Sequence, residues 1–168
     1  AAVNLGRWSL RRDGERWHEL LHAEALAAQV LAERGVAVAA GRIVETARRT
    51  YLLSPRFDRI GAAGRRHVVS VGAVHDGFVA GSYNHWAATC EALARQGRLN
   101  APAAEQARAL LEFGRLIGNS DMHAGNLSLM VARDTLAKPR FSLAPVYDML
   151  PMRWRPDNHG GDLGLLPF

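Results

Sequence analysis

The most constraining stretch of this chain is RLIGNSDMHAGNLSLMVARDTLAKPRFSLAPVYDML, residues 115 to 150. Asp121 is followed five residues later by Asn126, and Asp148 lies 22 residues beyond that amide. An apolar helix precedes Asp121 and ends in Ile117-Gly118-Asn119. Leu127 to Val131 and Phe141 to Val146 then read as two strands, joined by the polar turn Arg133-Asp134-Thr135 ahead of Lys138-Pro139. A tight loop, a strand, a turn and a second strand would carry two carboxylates and one amide to a single edge of a sheet. Asp and Asn also cap turns and occupy left-handed positions, so the spacing has weight only in this context of helix, loop and hairpin.

The spacing suits phosphoryl transfer. Asp-x-x-x-x-Asn followed by a later Asp is the arrangement of a kinase catalytic loop and its metal-binding segment. One carboxylate faces the attacking hydroxyl, while an amide oxygen and the second carboxylate converge on Mg²⁺, which takes hard oxygen ligands. A competing reading makes Asp121-Met122-His123 a metal pair. The other histidines (His18, His22, His67, His75, His85 and His159) are scattered, and no motif near the His18/His22 pair completes a ligand set. His123 is therefore expected to stiffen the loop.

IGNSDMHAGNLSL followed by FSLAPVYDMLP resembles the C-terminal kinase core of HipA-like proteins, the serine/threonine kinase toxins of bacterial type II toxin–antitoxin systems and their relatives. Two further blocks are similar to the family and stand in its order. One is Tyr51-Leu52-Leu53-Ser54-Pro55-Arg56-Phe57-Asp58-Arg59; the other is Ala23-Glu24-Ala25-Leu26 ahead of Gly35-Val36-Ala37-Val38. The likeness runs from about residue 17 to 155 and is strongest to members tied to transcriptional regulation. It implies ATP and Mg²⁺ as cofactors, with Asp121 acting on the acceptor hydroxyl and Asn126 and Asp148 holding the metal. It also implies adenine contacts near Arg56 and Phe57, and Glu24 as partner of a nucleotide-binding lysine. A protein substrate and an antitoxin or DNA-binding partner follow from the same likeness.

Two departures qualify it. Pro55 stands where the hinge usually carries Glu, and proline has no N–H to offer, although its carbonyl survives. The single lysine, Lys138, lies in the hairpin, and the segment before Glu24 has arginines such as Arg7 and Arg11 but no lysine and no glycine-rich loop, Gly6 and Gly14 being isolated. The chain is thus expected to be a piece of a longer protein, inactive as a kinase by itself. The alternative is an inactive kinase-like module of a transcriptional regulator. Small-molecule kinases share the loop spacing, but Arg-Phe-Asp-Arg and Leu-Ala-Pro-x-Tyr-Asp argue against them.

The expected fold is α+β and protein-kinase-like. Residues 1–53 would form a partial N-lobe, 54–59 a hinge, and 60–168 a mainly helical lobe. Trp17, Leu20, Leu21, Ala27, Ala28 and Leu31 recur at helical spacing, with Glu24 on the same stripe, and Gly35 is placed to stop that helix. Residues 36 to 53 read as two antiparallel strands turning at Glu45 to Arg49. His67 to Val71 reads as a short strand, the glycine-bearing run to Ser82 as loop, and Tyr83 to Arg95 as helix. Pro102 falls in the first turn of another helix, where its missing N–H costs nothing.

Composition bounds the rest. A length of 168 residues suits one domain with a real core. Cys90 alone excludes an internal disulfide and fits a reducing cytoplasm, and no apolar run is long enough to span a membrane. Net charge is +5 with a pI near 10.3. The excess is almost all arginine without long runs, so direct DNA binding by this chain is not expected.

Overall fold

A computed structural model describes residues 2–5, 13–39, 41–132 and 138–155. Gly6, Arg7, Arg11, the turn Arg133-Asp134-Thr135 and the tail with Gly160-Gly161 lie outside the described residues. The chain divides into two compact units. The first comprises Ala1–Arg56, Gly114–Asp121 and Val146–Phe168; the second comprises Phe57–Phe113 and Met122–Pro145.

In the first unit, β1 (Ala2–Leu5), β2 (Arg42–Glu45) and β3 (Thr50–Ser54) form an antiparallel sheet in the order β1-β3-β2. The β2–β3 register pairs Glu45 with Thr50 and Ile43 with Leu52. Thr46 closes the turn between them, its hydroxyl oxygen accepting from the Arg49 N–H at 3.0 Å. Helix α1 (Asp13–Glu33) packs against β3 and buries Leu20, Leu21, Glu24, Ala27 and Leu31. It ends as Gly35 takes φ +77°, a left-handed conformation glycine adopts without a Cβ penalty. Beyond it, Val38 forms a parallel bridge with Val146; Ala39 donates to the Val146 carbonyl at 2.7 Å and Val146 donates to that of Ala37 at 2.8 Å. These bonds fasten the segment bearing Asp148 to the residues Ala37 to Ala39 that follow α1.

In the second unit, β4 (Arg59–Ile60) and β5 (Gly64–Arg65) make a small hairpin, and β6 (Val68–Ser70), β7 (Ser128–Val131) and β8 (Phe141–Leu143) form an antiparallel sheet in that order. Strand β8 is shorter than the pattern suggested. Ala144 still donates to Ser128 at 3.0 Å, but Pro145 has no N–H to extend the ladder.

The run after Val71, expected to be loop, is a helix: α2 (Val71–Phe78). Ser70 caps it by accepting from the Ala73 N–H, and Val71, Val74 and His75 are buried. The glycines that suggested a loop have another reason. A Cβ on Gly72 would stand 2.9 Å from the Ala124 Cβ, so Gly72 lets the helix approach the loop closely enough for its N–H to reach the Ala124 carbonyl at 3.0 Å. Helix α3 (Trp86–Arg95) starts three residues later than expected, because the His85 ring accepts from the Ala88 N–H and serves as its cap. Trp86, Cys90 and Leu93 are fully buried in this unit with Val71, Val74, Leu127 and Leu129. Cys90 is therefore filler, its thiol pushed up to about 12 by burial and then by Glu91.

Helix α4 (Ala101–Ile117) opens with the Asn100 side chain accepting from the Ala103 N–H at 2.8 Å, which leaves Pro102 in the first turn. Its C-terminal turn belongs to the first unit. Among the described residues no helix is long and apolar enough to cross a membrane.

Candidate active site

Asn119 organises the loop that leaves α4. Gly118, at φ +75°, stops the helix, and the Asn119 N–H returns to the Gly114 carbonyl at 2.8 Å. The Asn119 side chain is 3% exposed, and both ends of its amide are used. Oδ1 accepts from the Asp121 N–H at 3.0 Å, while Nδ2 donates to the Asp148 carbonyl at 3.2 Å. One buried amide thus ties the backbones of Asp121 and Asp148 together. The sequence reading passed over Asn119 as the helix end, although an amide two residues before a candidate base is the signal for a side chain that turns the backbone.

Asp148 is the only non-glycine residue with positive φ among the described residues, at +57°. Such a backbone costs on the order of 1–3 kcal/mol and persists where its surroundings over-determine it. Here its carbonyl is held by Asn119 and its N–H donates to the Glu24 carboxylate.

Glu24 is 8% exposed on the inner face of α1. Burial first, and then the Asp148 charge, push its carboxyl up to about 7, against a smaller downward pull from the Asp148 N–H. Oε2 of Glu24 is buried without a hydrogen-bond partner among the described residues. The cleft it lines with Ala28, Val38, Leu52 and Met149 has about 20 Å³ of free volume, room for one water- or ammonium-sized group.

In the second unit, Asn126 is buried in the loop from Met122 to Leu127. The loop is stiff for reasons written in its sequence. His123 Nδ1 accepts from the Gly125 N–H at 2.9 Å, as expected of a loop-stiffening residue. The His123 carbonyl takes the Trp86 indole N–H at 2.9 Å and the Asn126 N–H at 3.0 Å. Asp121 is exposed at the end of the first unit. The first unit ends its N-terminal span at Arg56, which is exposed, and the second begins at the half-buried Phe57. Glu24, Asp121 and Asp148 therefore share one unit, whereas Asn126 and Phe57 belong to the other.

Residues 7–165 match the family model for the HipA-like C-terminal domain. The chain belongs to this family. It is 41% identical over 147 residues to Toxin YjjJ of Escherichia coli (strain K12), an alignment that covers 87% of this chain and 32% of the toxin. Among solved structures it is similar to HipA of Shewanella oneidensis MR-1, from a toxin–antitoxin complex of HipA, HipB and operator DNA. That match has a TM-score of 0.63 and 23% identity, and covers 89% of this chain and 37% of the other. It is similar also to the Helicobacter pylori proinflammatory kinase CtkA, with a TM-score of 0.64 and 13% identity, covering 94% and 54%. The fold is thus α+β and kinase-like, and this HipA-like domain spans about a third of the length of the curated toxin it matches.

Proposed function

We propose that this HipA-like domain is the phosphoryl-transfer core of a kinase-type toxin, dependent on ATP and Mg²⁺ and acting on a serine or threonine hydroxyl of a protein. The observation that carries the reading is the clamp on Asp148. A strained aspartate is held by Asn119, which also holds Asp121, and by Glu24, whose second oxygen is buried without a partner among the described residues. Strain of this kind is commonly kept where a carboxylate must be aimed.

The residues suit the cofactors. Asp148 and Asn126 supply the hard oxygen donors that Mg²⁺ takes. The unpartnered Glu24 oxygen, in a cleft with room for one small group, suits the ammonium tip of a phosphate-binding lysine. When bound, Mg-ATP supplies the phosphoryl group and neutralises charge on its oxygens. The chain's own residues do the rest. Asp121, exposed and with its backbone pinned, orients the acceptor hydroxyl and takes its proton. Asn119 keeps Asp121 and Asp148 in register. Arg56 and Phe57 are the residues that would hold the adenine, and the Pro55 carbonyl would be an acceptor for it. Such catalysis is mostly positioning and electrostatics. An antitoxin partner for the whole protein is consistent with the HipB complex of the Shewanella relative, and a cytoplasmic setting with the lone buried Cys90.

A second reading is an inactive regulatory module. It is favoured by the one lysine, Lys138, lying far along the chain from Glu24. Calorimetric titration of the whole protein with Mg-ATP tests the first reading. Asp148→Asn should weaken binding and leave the fold intact, whereas equal affinity in wild type and variant would remove the metal assignment. Tight Mg-ATP binding without phosphoryl transfer to any protein would favour the regulatory module.

A further inference from the structure

Helix α1 carries His18-Glu19-Leu20-Leu21-His22, and its two histidines lie one helical turn apart. The pair was expected to find no further ligand. The structure corrects this, because Glu45, the last residue of β2, reaches the same place. His22 Nε2 stands 3.0 Å from Glu45 Oε1 and His18 Nε2 stands 3.8 Å from it. One ligand atom from each of the three residues lies within 4.8 Å of the others, and the two rings are 4.6 Å apart at their centroids. We propose that His18, His22 and Glu45 form a binding site for a borderline first-row cation of the zinc(II) class, distinct from the residues proposed for phosphoryl transfer.

Three observations support this. The first is the donor set. Two imidazole nitrogens and one carboxylate are a recurrent zinc combination, and two histidines at i and i+4 present their rings on one helix face. Mg²⁺ by contrast prefers oxygen alone.

The second is spacing. Bonds of about 2.0–2.1 Å in a tetrahedral shell put ligand atoms roughly 3.3 Å apart. The observed 3.0 and 3.8 Å fall on either side of that value, so small side-chain rotations would complete the shell.

The third is the outer partner of His18. Its Nδ1 is hydrogen-bonded to the hydroxyl of Thr50 on β3, and Thr50 is buried. A ligating histidine characteristically uses its second nitrogen in this way, which sets the tautomer and aims the first nitrogen at the metal. A proton on Nδ1 directed to Thr50 would leave the Nε2 lone pair for a cation held between His18 and Glu45.

The site is also open to a cation, since the His18, His22 and Glu45 side chains are 44%, 45% and 57% exposed. Solvent can fill a fourth position. Glu19, between the two histidines, is exposed and is not one of the three clustered residues. A bound cation would cross-link α1, the helix that carries Glu24, to the end of β2. The simpler account, a carboxylate hydrogen-bonded to one or both imidazoles, needs no metal and predicts none.

The test is a titration of the untagged chain with Zn²⁺, followed by Co²⁺ as a spectroscopic substitute whose visible absorption reports nitrogen ligation. Wild type should take up one equivalent of Zn²⁺, and the metal-free chain loaded with Co²⁺ instead should show a visible band that added Zn²⁺ abolishes. His22→Gln and Glu45→Gln should each weaken Zn²⁺ binding by about tenfold or more and reduce the band. Thr50→Val, which leaves all three ligands in place, should weaken it by about tenfold, the usual cost of losing an outer-shell partner. His67→Gln, at an exposed histidine of the second unit, should change neither. Circular dichroism confirms that each variant is folded. Failure of folded wild type to bind Zn²⁺ stoichiometrically would overturn the site, as would equal binding by His22→Gln and Glu45→Gln.

Discussion

Glu24 in the first unit and His75 in the second are both titratable, both on helices and both buried, yet their surroundings differ. His75 is fully partnered. Its Nε2–H donates to the Gly81 carbonyl at 3.0 Å, so Nδ1 can accept from the Thr89 hydroxyl at 3.0 Å, and the Tyr83 ring meets it edge-on at 5.4 Å. With both nitrogens engaged, the ring has nothing left to bind. Glu24 has one oxygen served by the Asp148 N–H and the other buried without a partner among the described residues. A buried polar group that leaves a hydrogen bond unmade costs roughly 1–3 kcal/mol. The contrast separates a buried polar group whose hydrogen bonds are all made from one that keeps an oxygen without a partner among the described residues.

The largest effect should fall on chemistry alone. In the whole protein, Asp121→Asn is expected to lower phosphoryl transfer by about 10²–10⁴-fold, or roughly 3–5 kcal/mol, with nucleotide affinity and melting temperature retained. His75→Ala should do the reverse, sparing turnover per folded molecule. Full turnover in Asp121→Asn would mean that the loop is structural and the contrast misplaced.

Next comes the pH dependence of Glu24. Its carboxyl is raised from 4.5 to about 7 in the folded chain, so the folded state holds a proton that the unfolded state has lost. Stability must then fall as pH rises through that window, by a total on the order of 3 kcal/mol. Urea unfolding at pH 4.5 to 7.5 should show this decline in wild type and lose it in Glu24→Gln. A flat wild-type profile would show that Glu24 is already partnered by a cation.

His75→Ala should cost about 2–3 kcal/mol, since it leaves a cavity and strips partners from Thr89 and Gly81. Chemical denaturation gives the number. A loss below about 0.5 kcal/mol, the scale of an ordinary surface change, would place His75 outside the core network.

The smallest effect is expected for Asn119→Ala. Two hydrogen bonds of about 1 kcal/mol each are at stake, but Asp148 should relax from its left-handed backbone and recover part of the loss. Stability should drop by about 1 kcal/mol while Mg-ATP affinity drops more steeply. Equal losses in both would reduce Asn119 to a simple loop brace.

Much of this was legible along the chain. The stripe from Trp17 to Leu31 located α1 and put Glu24 on its apolar stripe, where only the structure decided that it is buried, and the loop residues Asp121 to Asn126 stood out by spacing. Helix α2 was obscured because Gly72 and Gly77 are read as loop residues. Only the neighbouring Ala124 explains why Gly72 is required at that position. Asn119 escaped for a similar reason, since its second partner lies 29 residues away.

The sequence alone therefore determined what acts over a turn of helix or a few residues of strand: helix periodicity, caps and breakers, and the residue types at Asp121, Asn126 and Asp148. Tertiary structure decided what meets across long separations. It paired Val38 with Val146, bent Asp148 into the left-handed region against Glu24, and brought Glu45 to His18 and His22. Local preferences are set by sterics between neighbours in sequence, whereas these meetings depend on which apolar faces are buried together, and no residue carries that information by itself.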